Sequence, residues 1–314
     1  MSNQAAAAPF TIADELAARP SPSLGARLRK LGTMARQNPL GTIGLLLILG
    51  FVFMAVFAPW IAPYGAGELP GTKNQSPGSD FWFGTNRSGQ DIFSRVVLGS
   101  RISLAVAFIS VIGGASLGML IGIISGYSGG SVDSVIQRTV DTAIAFPALL
   151  LLLIITQSRP FEKPAAWLHV NEDYATIIFA LMLAVIPGVT RVVRGAVLSE
   201  KNNQYVEAAR SIGAWSPRIL FRHVLPNVLA LGIIVMTSLL GGIILAEASL
   251  SFLGLGIPGA ASWGQDVNTA RQDYPYHIPA AFFPGAAITL TVLGFNLLGD
   301  AIRDIADPRL RGSR

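Results

Sequence analysis

Three histidines, four lysines and no cysteine bound the chemistry open to this chain of 314 residues. Without cysteine there is no thiolate nucleophile, thiolate metal site or disulfide. His169, His223 and His277 fall in separate polar stretches, so no shared metal centre is predicted. A phosphate cradle of the form G-x-x-x-x-G-K-[ST] needs a lysine directly after a glycine. None of Lys30, Lys73, Lys163 and Lys201 follows one. What remains is a set of carboxylates beside apolar runs (Asp141, Glu247, Asp300) and one polar stretch, Ser199 to Pro226.

That stretch reads as two short helices around a corner. Ser199 is a suitable N-cap, and the residues through Ile212 favour a helix. Gly213 fits the left-handed position that ends a helix, and Ser216 with Pro217 restarts one as N-cap and first helical residue. Small Ala208 and Ala209 would expose backbone to a partner. A helix–turn–helix also suggests DNA binding. Apolar runs abut this one on both sides, leaving no independent domain to approach a duplex, so nucleic acid is excluded as a partner.

The elements that must carry this loop are membrane helices. Hydrophobic residues make up 51% of the chain and charged ones only 13%, against about 25% charged in soluble domains. A span needs about 20 mainly apolar residues. Six candidates occur: Leu40 to Ala62, Ile102 to Gly126, Val140 to Gln157, Tyr174 to Val193, Val224 to Leu250 and Pro279 to Asp300. Six spans put both termini on one side. With the termini inside, most of the 23 Lys and Arg lie on that side, as the positive-inside rule requires. Met1 to Asn38 has no apolar core and reads as a cytoplasmic tail rather than a signal peptide.

Several features inside the spans leave two readings open. Gly114, Gly118, Gly122 and Gly126 share one helix face and suit either close helix packing or a pore lining. Pro147, Pro187 and Pro284 permit kinks. Asp141 and Asp300 suit capping or local pairing. Glu247 follows an uncharged run and either faces a pathway or packs at the outer rim. His223 reads as an interfacial residue. Trp60, Tyr64, Trp82, Trp167, Tyr174 and Trp263 suggest an interfacial belt.

Glu207-Ala208-Ala209, then Gly213, then Leu225-Pro226 resembles the EAA loop of ATP-binding-cassette importer permeases, with His223 where that pattern has isoleucine. Phe83-Gly84-Thr85-Asn86 followed by Gly89-Gln90-Asp91-Ile92-Phe93-Ser94-Arg95 resembles a segment of the "C"-type dipeptide and oligopeptide permeases. Asn86 replaces the usual Asp there, and Gln90 the usual Arg. Glu247 to Gly256 with Ser262-Trp263-Gly264, Asn296 to Asp300, and Asp307 to Arg311 match further signatures of that family.

The resemblance implies an all-α type I importer permease fold with six transmembrane helices, in a bacterial inner membrane. Its parts would be a cytoplasmic tail (1–38), a first helix (39–62), a periplasmic segment (63–100), a five-helix core (101–304) with the EAA loop at 199–226, and a C-terminal tail (305–314). It implies a contact with an ATPase subunit through Tyr205, Glu207, Ala208, Ala209, Arg210, Ser211, Gly213, Ala214, Trp215 and Pro217. Glu247 and Asn296 become candidates for the substrate pathway. Implied partners are a homologous "B"-type permease, two ATPase subunits, a periplasmic or lipid-anchored solute-binding protein and membrane lipid. No cofactor belongs to this chain; ATP and Mg would sit in the ATPases. Expected solutes are di- or oligopeptides, with nickel complexes, glutathione-like peptides and opines as alternatives. A stand-alone secondary carrier would need paired mid-membrane charges and repeat symmetry, and a membrane enzyme a catalytic cluster; neither pattern stands out.

Overall fold

A computed structural model describes residues 36, 38–158, 172–257 and 259–306. Most of the expected N-terminal tail, Trp167, His169 and the signature Asp307 to Arg311 lie outside those residues. The described chain is helical except for loops and one isolated bridge pairing Thr85 with Asp91. The elements are α1 (Pro39–Val56), α2 (Ala58–Ile61), α3 (Ile92–Ser128), α4 (Gly130–Ala145), α5 (Ala148–Ser158), α6 (Glu172–Lys201), α7 (Gln204–Ser211) and α8 (Ser216–Ile219). A π-helical turn (Leu220–Val224) leads into α9 (Leu225–Leu250), a second (Ser251–Leu255) leaves it, and α10 (Trp263–Ala270) and α11 (Pro279–Ala306) complete the chain.

Among the described residues, five helical runs are long and apolar enough to cross a membrane: α1, α3, α6, the run Ser216–Leu255, and α11. A sixth crossing arises if α4 and α5 count as one. The expected continuous third span, Val140 to Gln157, is therefore corrected: the two helices meet at a bend of 90°. Phe146 there is extended (φ −78°, ψ 134°). Proline at 147 lacks an N–H, and its ring disfavours helical geometry in the preceding residue.

The second span also needs correcting, because α3 begins at Ile92 rather than near Ile102. Asp91 caps it, its Oδ2 accepting from Ser94 N at 2.8 Å and Ser94 Oγ at 2.6 Å. Arg95 and Arg101 hide this extension in the sequence, since charge argues against a buried helix. Arg95 is nevertheless buried, neutralised by a partner described below.

The centre of the bundle is the seam between α3 and α6. Buried Val185, Val189, Val193 and Val197 recur every four residues along α6 and face Gly114, Gly118, Gly122 and Gly126 of α3. A Cβ on those glycines would stand 2.9 to 3.0 Å from the valine Cβ atoms and 2.7 to 3.0 Å from the carbonyl oxygens of Met182, Ile186, Thr190 and Arg194. Only residues without side chains let two backbones approach so closely. The glycine stripe is thus a packing face. Thr190 Oγ1 donates across the same seam to Gly118 O at 3.2 Å.

Candidate docking loop

The loop between α6 and α9 folds as a corner, though not from the residue first expected. Ser199 lies inside α6, which runs on to Lys201. The break comes at Asn202 and Asn203, residues whose side chains compete with helical backbone bonds. Asn203 (φ −73°, ψ 145°) precedes α7. At its far end Ile212 N bonds Ala208 O, Gly213 N bonds Arg210 O at 2.9 Å and Ala214 N bonds Ala209 O at 3.0 Å. With Gly213 at φ +84°, this is a Schellman cap, whose left-handed residue favours glycine. Trp215 (φ −77°, ψ 153°) then takes the N-cap position expected of Ser216, placing Ser216 and Pro217 as the first two residues of α8.

Glu200 fixes the orientation of this corner. Its Oε2 accepts from Asn203 Nδ2 at 2.9 Å and from the Tyr205 hydroxyl, while Asn227 Nδ2, on α9, donates to Tyr205 Oη at 3.1 Å. Burial and the neighbouring Glu200 push the Tyr205 phenol up, so it stays a donor. Lys201 Nζ donates to Tyr127 O at 3.0 Å, and Tyr127 Oη donates to Ser216 O. The loop is thereby tied to the end of α3. His223, the residue that departs from the EAA pattern, packs against Tyr205 with ring centroids 6.0 Å apart and the planes tilted by 50°.

The side chains divide into a rooted set and a presented set. Val206, Ala209, Ile219 and Val224 are buried. Ala209 therefore belongs to the root, not to an exposed contact as expected, whereas Ala208 is exposed. Glu207, Arg210, Ser211, Gly213, Trp215 and Pro217 are exposed, Tyr205 is partly so, and Ala214 is half-buried. Ile212 (87% exposed) and Phe221 (65%) join Trp215 (68%) as large apolar groups without cover. Sequence reasoning missed Ile212 and Phe221. The available signal for Ile212 was an isolated apolar residue directly before the glycine corner.

The opposite end of the bundle holds a second polar knot. Arg95 Nε donates to Asp266 Oδ1 at 2.6 Å, and its other nitrogens donate to Ala66 O (2.9 Å) and Ala260 O (3.2 Å). Burial pushes the Asp266 carboxyl up to about 6 against the pull of Arg95. Asn86 Nδ2 donates to Gln90 Oε1 at 2.8 Å, and Asn86 Oδ1 accepts from Gln90 N at 3.0 Å. The two departures in this segment are thus each other's partners.

Glu247 is enclosed within the chain. It is 2% exposed, with Ser103 Oγ donating to Oε2 at 3.2 Å and Ser251 Oγ to Oε1 at 2.9 Å. Of the two readings the packed one describes it, and the carboxylate ties α9 to α3. Trp263, expected in an interfacial belt, is fully buried, its Nε1 donating to Val96 O at 2.9 Å. Gly264 lies so close to Ala248 and Ser251 that a Cβ would stand 2.7 Å from each. Trp60 and Trp82 remain exposed. Asn296 lies on an exposed face of α11, near Gly241 of α9.

A family model described as "Binding-protein-dependent transport system inner membrane component" matches residues 118–312. The chain belongs to that family. A second model, the N-terminal TM domain of oligopeptide transport permease C, matches residues 34–77 of the permease. It is 40% identical over 280 residues to a glutathione transport system permease protein, GsiD, of Escherichia coli O6:K15:H31. It is 36% identical to a dipeptide transport system permease protein, DppC, of Alkalihalophilus pseudofirmus, and 35% to an oligopeptide transport system permease protein, OppC, of Bacillus subtilis. Each of these alignments covers 88% of both chains. A solved structure titled as an amino acid ABC transporter shares the fold, with a TM-score of 0.51 and 17% identity over 66% of this chain and 92% of that one.

Proposed function

We propose that the permease is the transmembrane subunit of an ATP-driven importer, forming half of a translocation pathway for di- or oligopeptides and drawing its energy from separate ATPase subunits. The observation that carries this reading is the cornered loop. It is rooted through Val206, Ala209 and Ile219 and presents Ile212 and Trp215 uncovered, as a surface built to be covered by a partner does. The relatives named for dipeptide, oligopeptide and glutathione transport support a peptide as the solute. Glutathione, itself a tripeptide, is the specific variant favoured by the 40% identity to GsiD.

In this reading the loop lies in the cytoplasm with both termini, since the basic residues concentrate there. Two ATPase subunits closing on ATP and Mg would draw their bound loops together, and each loop would move its bundle as a rigid body between outward and inward access. A related "B"-type permease supplies the other half of the pathway, and a solute-binding protein delivers the peptide. Co-expression with the cognate partners, followed by ATP-dependent peptide uptake into proteoliposomes, tests the function. Uptake that proceeds without the ATPases would overturn it.

A further inference from the structure

Helix α4 makes two ion pairs to α6, and they differ in a way that separates a brace from a binding group. Asp133 receives Arg194 through both oxygens at 2.6 Å each and also accepts from Ser125 Oγ at 2.5 Å. Those side chains are 16% and 29% exposed. Asp141 also pairs with Arg191, but these side chains are 63% and 51% exposed. An ion pair so open to water contributes little on its own. It is therefore free to exchange partners.

Toward the start of α4 the surroundings of the open pair are polar. Ser134, Arg138, Asp141 and Thr142, at i, i+4, i+7 and i+8, share one face of α4, and all four are exposed. The other side of the helix, including Ile136, Val140 and Ala143, lines an apolar cleft with Leu151 and Leu183. Arg191 lies ten residues before the end of α6, about 15 Å along its axis. That position is two residues inside the cytoplasmic end of the expected fourth span, Tyr174 to Val193, where a charge meets water or protein rather than hydrocarbon, which penalises it heavily.

We propose that the Asp141–Arg191 pair is a subsite of the translocation pathway for the two terminal charges of a zwitterionic solute. The guanidinium would take the solute's carboxylate and the carboxylate its ammonium group. A free peptide carries both charges, so this inference rests on the importer function proposed above.

The test uses the complete importer in proteoliposomes, with glutathione and alanyl-alanine as probes. Because the chain has no cysteine, Ser134→Cys, on the face of Asp141, and Thr139→Cys, on the side of the apolar cleft, can be compared by labelling with a water-soluble thiol reagent. They sit about 140° apart around α4, and both positions are exposed in the isolated chain. Ser134→Cys should react at least tenfold faster and be slowed during peptide turnover. Equal rates would overturn the proposal. The double variant Asp141→Asn with Arg191→Gln keeps a hydrogen-bonded tie but removes both charges. Its uptake should fall at least tenfold while receptor-stimulated ATP hydrolysis stays within twofold. Normal uptake, or a joint loss of uptake and hydrolysis like that expected of the brace variant Asp133→Asn, would make the pair structural and sink the proposal alone. An unmodified complex that imports neither probe would sink the peptide function with it.

Discussion

The guanidinium of Arg95 and the carboxylate of Asp266, 171 residues apart in the chain, meet at 2.6 Å inside the end of the bundle away from the docking loop. Arg95 also donates to two carbonyls, one before and one after it in the chain, Ala66 O and Ala260 O. One side chain therefore joins the segment before α3, α3 itself and the stretch leading to α10. Removing one member of a buried pair strands the other charge, at a cost of about 3–5 kcal/mol. Asp266→Ala should lower the thermal unfolding temperature of the detergent-solubilised chain clearly. Arg95→Lys should do so too, because a lysine cannot serve three acceptors in different directions.

Asn86 and Gln90 offer a double-mutant cycle. Their side chains bond each other and nearby backbone, so a matched exchange of the two amides for a carboxylate and a guanidinium should be tolerated. The paired variant Asn86→Asp with Gln90→Arg is expected within about 1 kcal/mol of the parent, as for a partly exposed ion pair. Either single change should be worse than the pair. Additive effects of the two changes, measured by thermal unfolding, would show that these side chains are not coupled.

The α3–α6 seam makes a prediction with an internal control. Gly122→Val would press a branched side chain into Thr190 O, where even a Cβ stands at 2.7 Å. Gly188, in α6 itself, has nothing within 4 Å of a Cβ. Gly188→Ala should therefore be neutral or stabilise by up to about 1 kcal/mol through helix propensity. Gly122→Val should reduce folded yield and unfolding temperature sharply. Equal behaviour of the two variants would contradict the packing described.

Much of this was legible in the chain because the physics is local. Apolar length marked the crossings, and Gly213 marked the corner because only its lack of Cβ makes φ +84° inexpensive. The misreadings have long-range causes. The extension of α3 back to Ile92 was hidden because the partner that neutralises Arg95 lies 171 residues away. Glu247 looked available to solute because the hydroxyl of Ser103, 144 residues distant, cannot be seen from its neighbours. Trp263 looked interfacial because its acceptor, Val96 O, is equally remote. The 90° bend at Pro147 stood between these cases. The proline was visible, but its break across the expected third span was not.

Rooting and presentation can be separated within the loop. Ile212→Asp changes an 87% exposed side chain and should leave the isolated permease as stable as the parent while weakening its co-purification with the ATPases at least tenfold. Ala209→Asp would place a charge in the buried root and should lower the stability of the permease itself. Matching losses of stability in both variants would show that Ile212 is not a presented group.

The docking role of the loop is tested most directly by the ratio of peptide imported to ATP hydrolysed in the assembled importer carrying Gly213→Val. A β-branched residue resists φ +84°, so the corner must reshape while the spans, rooted elsewhere, still insert and assemble. Hydrolysis that continues while uptake falls at least tenfold is the expected result. An unchanged ratio at normal uptake would mean that this loop does not carry energy into the permease.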